Sequence, residues 1–574
     1  MLRIGHKYAF KADLRKSISR LVKESDDKFG KAIAAVSPQE KTNWQKWKLT
    51  MIKKLVKLQD KPSQLEERLK RGIQDLKKME IIIKPADKNL GLVPIRGDIY
   101  NAMLRKWLSQ PSFAQVTSFP HDSIVNELKM TLPRGMDKQK RYLITQHAMK
   151  NKEPAPFYCI PKIHKTQLGS RPITAQHSYV LSALSRHLAE VLNEFVKPNK
   201  DIGIDSKTTV KRLEELKLPD QFVFLTYDVE ACYPSIDIDD ALQTLYDNLE
   251  IMRQENGAYT RLLEMVMKKN FVKANGKLYL QKVGTATGTQ VAPPFANLYL
   301  YFKFKQVLSD PSIHFQERFI DDGLLLVKTK EDATRIMEGL NQASPLNLTS
   351  DISDKAAIYL DIEVYKGTRY IAERKLDLKV YFKPTNKLLY LPAKSNHPGA
   401  MKTGIVRGEA IRTLRNTSSK TEWLKALNHI FKGLMARGYS PKAIKDRWKS
   451  VRFEERDWYI TCSTPKSCPE GVIVRTSYNP KTQAIWKWMI ATHPLTQVLQ
   501  KRRALWNKKQ GALLKKWPPR ILWMDFRKVS HQTINSRHEW AYPSQRKRAR
   551  AEEEDENARN VRLRLSNAVT SGRS

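Results

Sequence analysis

Cysteine, acid and long apolar runs are all scarce in this chain. Four cysteines in 574 residues (Cys159, Cys232, Cys462 and Cys468) cannot form a disulfide framework, which excludes a small stapled secreted scaffold and points to a reducing compartment. Cys462 and Cys468 have no His pair nearby, so a zinc site there is rejected. No stretch approaches the roughly 20 apolar residues of a membrane span. The opening Met1-Leu2-Arg3-Ile4-Gly5-His6-Lys7 has no apolar signal core, so a soluble protein without a membrane partner is expected. No repeat recurs at a period of roughly 20–50 residues, which excludes a solenoid. Acid is the largest deficit: 59 Asp and Glu stand against 102 Lys and Arg, a formal net charge of +43. The basic residues are spread along the chain, which suits a long nucleic-acid track better than a membrane-surface helix.

Along the chain, residues 1–80 are rich in Lys, Leu, Glu and Gln and read as basic amphipathic helices. Glu80–Ile95 reads as strand, turn, strand, with Lys84, Asp87 and Lys88 on the turn, either a solvated loop or lysines aimed at phosphates. Phe157–Lys165 and Arg171–Ile173 read as two extended segments carrying Lys162, Lys165 and Arg171 towards one face. Arginine offers a planar fork and lysine a mobile point charge, and a triphosphate wants both. Helical pattern runs from about Ser178 to Lys200. Phe222–Tyr227 is an apolar run typical of a buried strand and ends at Asp228, where a carboxylate needs a partner, a metal or a helix to cap.

Gly284–Asn297 is a loop of small residues feeding a helix that continues to about Leu308, and Gly288 lets the backbone lie flat against a neighbour. In Arg318–Val327, two adjacent carboxylates, Asp321 and Asp322, precede Gly323 between strand-like runs. Asp-Gly there reads as a tight hairpin with the glycine taking positive φ, either a solvated tip or a cation site. Ile358–Val364 alternates like one strand, and Val380–Asn386 is a strand entering a turn. Residues 395–450 read as a helical bundle interrupted at Asn416–Ser419. Residues 451–540 hold most of the tryptophan, which is more often core than base-stacking platform. The tail carries Arg546–Arg550, which reads as a nuclear import signal, followed by the acidic run Glu552–Glu556, and has the composition of disorder.

If the strand ending at Asp228 and the hairpin at Asp321-Asp322 are neighbours in one sheet, three carboxylates converge. That is what two divalent cations need in nucleotidyl transfer, and Mg²⁺ suits a few carboxylates completed by phosphates and water. With Lys162 and Arg171 for a triphosphate and a basic body for a duplex, these parts make a nucleotidyltransferase.

The motifs quoted in order are Lys84-Pro85-Ala86-Asp87-Lys88, Ile160-Pro161-Lys162-Ile163-His164-Lys165 with Arg171-Pro172-Ile173, and Tyr227-Asp228-Val229-Glu230 with Tyr233-Pro234-Ser235-Ile236. Gly284-Thr285-Ala286-Thr287-Gly288-Thr289 with Ala292-Pro293-Pro294-Phe295-Ala296-Asn297 follows, then Phe319-Ile320-Asp321-Asp322. This succession resembles a reverse transcriptase, and more narrowly the Penelope-like retroelement group, related to telomerase catalytic subunits. Tyr359-Leu360-Asp361-Ile362-Glu363, Phe382-Lys383-Pro384-Thr385-Asn386 and Ser395-Asn396-His397-Pro398 also fit that group.

The resemblance covers about residues 80–420 and implies an α+β right-hand polymerase: fingers over 81–215, a palm with an antiparallel sheet over 216–394 and a helical thumb over 395–450. Around them it leaves a basic helical extension (1–80), a C-terminal extension (451–541) and a charged tail (542–574). It implies that Asp228, Asp321, Asp322 and the Val229 backbone carbonyl hold two Mg²⁺ ions, with Mn²⁺ as the substitute. Lys162, Arg171, Val229, Tyr233 and Gln290 would contact the dNTP, and Lys84, Lys88, Gly288 and Thr289 the template and primer. Tyr233 would act as an aromatic gate against a 2′-hydroxyl. The implied partners are an RNA template, a DNA primer or target and dNTPs, and the implied place is the nucleus, otherwise the cytoplasm.

Two departures stand out. Thr287 replaces a larger residue common in relatives, and Phe319 replaces a more familiar tyrosine. No Gly-Ile-Tyr…Tyr-Ile-Gly endonuclease signature occurs in residues 420–574, so the resemblance is to an endonuclease-lacking form that needs an existing 3′ end. Two alternatives stay open: a domesticated RNA-binding protein without synthesis, and a cellular relative with relaxed sugar choice.

Overall fold

The structure is a computed structural model that describes residues 64–462 other than 165, 166, 396 and 398, with a few helical positions between 42 and 53. Most of the N-terminal extension, Lys165, Cys468, the tryptophans after Trp458 and the tail with Arg546–Arg550 lie outside the described residues.

A basic helix, α1 (Gln64–Lys78), leads into the hairpin β1 (Ile81–Pro85) and β2 (Leu92–Arg96), the strand–turn–strand expected from the sequence. Helix α2 (Gly97–Leu108), strand β3 (Phe113–Val116) and helices α3 (His121–Thr131) and α4 (Lys138–Lys150) follow. Asp137 starts α4 by accepting the Lys140 amide, one of the four N–H groups a helix leaves unpaired. The hairpin β4 (Ala155–Lys162) and β5 (Gly169–Thr174) precedes α5 (Ser182–Val196), shorter at both ends than the sequence pattern suggested, and α6 (Ser206–Glu215).

Strand β6 (Val223–Val229) is buried along most of its length, as its unbroken apolar run requires. After it come the single turn α7 (Cys232–Ser235), α8 (Ile238–Asn248) capped by Asp237, and α9 (Glu250–Lys268). Hairpin β7 (Asn270–Ala274) and β8 (Lys277–Gln281) joins the earlier strands in a five-stranded sheet of order β3-β8-β7-β4-β5. Helix α10 (Ala292–Phe304) has proline in its first turn, where the missing N–H costs nothing. Then come β9 (Ile313–Phe319), β10 (Asp322–Val327), α11 (Lys330–Ala343) and β11 (Leu348–Ser353). They complete a four-stranded antiparallel sheet of order β11-β6-β10-β9.

The two faces of this sheet have different company. Val223, Leu225, Tyr227, Val229, Leu325 and Val327 face the main core with α5, α8, α10 and α11. Phe224, Leu324 and Leu326 face a second core shared with a three-stranded sheet, β12 (Ala356–Tyr359), β13 (Ile362–Tyr365) and β14 (Asp377–Val380). Each fully buried side chain of this size contributes about 1.5–3 kcal/mol. The chain then forms helices α12 (Gly399–Arg415), α13 (Lys420–Ala436) and α14 (Pro441–Trp448), the bundle and break expected around 416–419.

Two local expectations are corrected. Ile358–Val364 is not one strand: the chain turns at Leu360, which adopts φ 57°, and pairs β12 with β13. Period-2 alternation survives a two-residue turn between short strands, so the pattern alone could not separate them. The Asp-Gly signal also misplaced a turn. Gly323 lies inside β10, and the left-handed residue is Ile320, at φ 59°.

Candidate active site

The end of the four-stranded sheet brings two carboxylates together. Asp228 on β6 is the register partner of Asp322 on β10. The Val229 N–H donates to the Asp321 carbonyl at 3.0 Å. That bond makes 228/322 a non-hydrogen-bonded pair, the kind whose Cα atoms approach to about 4.5 Å and whose side chains lie closest. Like charges in that position repel. Burial, then the Asp321 and Asp228 charges, push the Asp322 carboxyl up to about 6. Partial burial and the Asp321 charge raise Asp228 as well. Asp228 itself is exposed and caps no helix: Ala231, in left-handed conformation, takes the position before α7.

Asp321 occupies the turn, and a buried arginine holds that turn in place. Arg318, 4% exposed, donates to the Ile320 carbonyl at 2.7 Å, the Asn297 carbonyl at 2.7 Å and Asn297 Oδ1 at 3.0 Å. A β-branched residue in the left-handed region is strained by about 1–3 kcal/mol. The Arg318 fork offsets that strain and ties the turn to α10. Sequence reasoning gave Arg318 and Asn297 no role; the signal available was an arginine inside an apolar strand, which must find several acceptors.

A cavity of about 790 Å³ is lined by Tyr158, Thr174, Tyr233, Gly288, Thr289 and Gln290, among others. Its loop is docked by two glycines. Gly288, at φ +121°, lies so close to the Thr174 carbonyl that no Cβ fits, which is the flat approach read from the sequence. Gly284 lies likewise against the Pro234 backbone, and the Thr285 N–H donates to the Tyr233 carbonyl at 2.8 Å. Tyr233 is half-buried, its phenol raised by burial and the Cys232 and Asp321 charges. Arg186 on α5 donates to Gln290 Oε1 at 3.3 Å. The Thr289 hydroxyl is buried without a hydrogen-bond partner among the described residues.

The cationic candidates sit on the β4–β5 hairpin and the turn after β1. Register pairs Ile160 with Arg171 and Lys162 with Gly169, so strand alternation puts Lys162 and Arg171 on one face, together with Tyr158 and Ile173. Arg171 is engaged by Asp87 at 3.3 Å, which joins that turn to the hairpin. The Lys84 ammonium lies 5.0 Å from the Tyr100 and Tyr158 ring centroids, and burial lowers its pKa. Lys88 is exposed at φ 55°.

Asp228, Asp322 and Lys383 line a separate cavity of about 310 Å³. Among the described residues, no three His, Cys, Asp or Glu side chains are grouped so as to hold a metal ion. Asp228 and Asp322 are an all-oxygen pair, the donor type that a hard cation such as Mg²⁺ takes when phosphates and water complete its shell.

The family model described as "Animal helix-turn-helix domain" matches residues 389–449, which span α12–α14. No curated protein matches the chain. Among solved structures, the chain is similar to telomerase from Candida albicans in complex with the TWJ fragment of telomeric RNA, at 11% identity over 69% of this chain and 67% of that one, TM-score 0.44. It is similar to the Candida tropicalis telomerase with the TWJ fragment at 11% identity over 88% and 86%, TM-score 0.40. The RNA-dependent RNA polymerase of a human picobirnavirus aligns at 10% identity over 79% and 91%, TM-score 0.42.

Proposed function

We propose that this chain is an RNA-directed DNA polymerase of the Penelope-like, endonuclease-lacking kind, extending a DNA 3′ end on an RNA template. The observation that carries the reading is the Asp228–Asp322 register pair, with Asp321 in the adjoining turn. The four-stranded sheet would be the palm, the five-stranded sheet and its helices the fingers, and α12–α14 the thumb.

On this reading, Asp228, Asp322, Asp321 and the Val229 carbonyl would hold two Mg²⁺ ions. Bound there, the ions supply positive charge for the 3′-hydroxyl as it loses its proton and for the leaving oxygen. The chain's own residues bind and orient. Arg171 and Lys162 present cations on the face that Tyr158 shares with the larger cavity, where the triphosphate is expected. Arg171 must exchange Asp87 for phosphate, so Asp87 acts as its place-holder. Tyr233 stacks under the sugar and crowds a 2′-hydroxyl. Gly288 and Thr289 support the templating base and Arg186 orients Gln290. Lys84 and Lys88 extend the basic track, and Arg546–Arg550 would direct the protein to the nucleus.

The test is extension of a DNA primer on an RNA template with Mg²⁺ or Mn²⁺. Full-length protein giving no product with any template–primer pair would overturn the reading. Tyr233→Ala is expected to raise rNTP use relative to dNTP at least tenfold in kcat/KM, about 1.4 kcal/mol of discrimination. An unchanged ratio would remove Tyr233 from the gate.

A further inference from the structure

The backbone is pinned on both sides of Asp321. The carbonyl before it, that of Ile320, accepts from Arg318 Nη1 at 2.7 Å. Its own carbonyl accepts from the Val229 N–H of β6 at 3.0 Å. With both flanking peptide planes held, the Asp321 Cα–Cβ direction is set and only side-chain rotation is left. The Asp321 charge acts on Asp228 and on Asp322. Where its carboxylate stands therefore decides how strongly a cation at that pair is held.

Of the two clamps, one is backbone and the other a buried guanidinium. Arg318 is almost fully buried, yet its hydrogen bonds go to three neutral oxygens, the Ile320 carbonyl and the Asn297 carbonyl and Oδ1. A cation is costly to bury without a counter-charge, so a turn with no other task would be held at less cost by neutral donors. Among the charges that act on Arg318 is that of Asp321. Asn297 reaches it from the second turn of α10, a helix fixed at both ends. The Val291 N–H, just before α10, donates to Ser185 Oγ of α5 at 3.1 Å. Towards the other end, Tyr299 Oη and Lys303 Nζ donate to the two carboxylate oxygens of Asp240 on α8, each at 2.7 Å. The loop feeding α10 supplies Gly288, Thr289 and Gln290 to the larger cavity.

We propose that Arg318 and Asn297 are positioning residues for Asp321: the fork fixes the direction of its carboxylate relative to Asp228 and Asp322 and ties that direction to α10, the helix that carries the cavity loop. The inference rests on the polymerase reading. Neither residue would touch the ion or the nucleotide, and both act through the Asp321 backbone. Arginine suits the task because a planar fork serves several acceptors at fixed angles, which an ammonium on a flexible stem does not.

The experiment uses full-length protein and reads Mn²⁺ binding by electron paramagnetic resonance, without nucleic acid or nucleotide, beside melting of the metal-free protein. Asn297→Ala leaves the backbone carbonyl in place, and Arg318→Lys keeps the charge without the fork. Each should weaken Mn²⁺ binding by about tenfold or more, the loss expected when a group that orients a ligand is removed. Asn297→Asp keeps an acceptor at Oδ1 and should restore most of the binding. Asp321→Asn should weaken Mn²⁺ binding by itself, and adding Asn297→Ala to it should change nothing further. Multiplied losses would overturn the positioning, since independent sites add in free energy, and so would Mn²⁺ binding that Asp321→Asn leaves unchanged. Variants that melt lower but bind Mn²⁺ like wild type would overturn it too, leaving both residues as structural support. Full affinity in Arg318→Lys would assign the effect to the buried charge and overturn the fork; if that variant fails to fold, Asn297→Ala carries the comparison. In primer extension the Asn297→Ala protein should lose kcat about tenfold with the KM for dNTP unchanged, and a raised KM with kcat kept would overturn the assignment. Wild-type protein that binds Mn²⁺ with this dependence on Asp321 and Asn297 but extends nothing would overturn the polymerase reading alone.

Discussion

Asp322→Asn is expected to slow primer extension by about 10³-fold or more while making the metal-free protein more stable. Both effects come from one geometry. The pair sits at the closest cross-strand position, and Asp322 is held up at about 6 by burial and by two neighbouring carboxylates. Asparagine keeps the shape, removes the repulsion and removes a ligand charge. A 10³-fold loss corresponds to about 4 kcal/mol of barrier, the scale expected when a charge that positions a catalytic ion is lost.

The stability effect has a definite pH window. The folded value of Asp322, about 6, lies above the value of about 3.9 for an unfolded aspartate. The native state therefore binds more protons than the unfolded state between about pH 4 and 6. Metal-free stability is favoured below that window, falls as pH rises through it and is level above. Because Asp322 is only partly buried, solvent screening reduces the effect to about 1 kcal/mol. Melting of metal-free wild type and Asp322→Asn at pH 4 and pH 8 should show the variant's advantage at pH 8 only. A variant extending at near wild-type rate would sink the assignment; one whose advantage is greatest at pH 4 would sink the electrostatic account.

Much of the fold was legible because it is written in local pattern. The apolar run of β6, the β1–β2 and β4–β5 hairpins and the break in the C-terminal bundle are all set by residues within one or two turns of each other. What escaped depends on contacts between distant segments. Leu360 turns the chain between strands that alternate as one. Arg318 matters through Asn297, 21 residues earlier. Lys383 reaches the carboxylates from beyond β14, with no spacing to announce it. The pairing of Asp228 with Asp322 stood as a conditional in the sequence, since nothing local says which strands are neighbours, and the register makes them neighbours. Asp321 and Asp322, adjacent in the chain, end in unequal places: one lines the turn and the other pairs across the sheet.

Gly323 is the sharpest case, and its replacement should have the largest effect on stability. Asp-Gly suggested a glycine chosen for positive φ, yet that freedom is used by Ile320 instead. The demand on Gly323 is space. It pairs with Tyr227 across β6 and β10, and a Cβ there would lie 2.2 Å from two atoms of the Tyr227 ring. Tyr227 cannot easily move: it is 3% exposed, and its ring meets Phe304 edge-on at 6.4 Å. Gly323→Ala should therefore cost about 2–4 kcal/mol, the range of an overpacked core with backbone shift. It should also cut extension about 10²-fold in whatever protein folds, because Asp322 is the adjacent residue and a shift of about 1 Å misplaces its carboxylate. Tyr227→Leu removes the ring atoms in question and should cost about 2–4 kcal/mol alone, from the cavity it leaves. Chemical denaturation of the two single variants and the double variant separates the contributions. If the clash is the cause, Gly323→Ala in the Tyr227→Leu background should cost less than about 1 kcal/mol, a coupling of at least 1 kcal/mol between the sites. Additive losses would mean that the glycine serves backbone conformation after all. Since Gly323 is not among the positive-φ residues, the coupled outcome is the one the geometry requires.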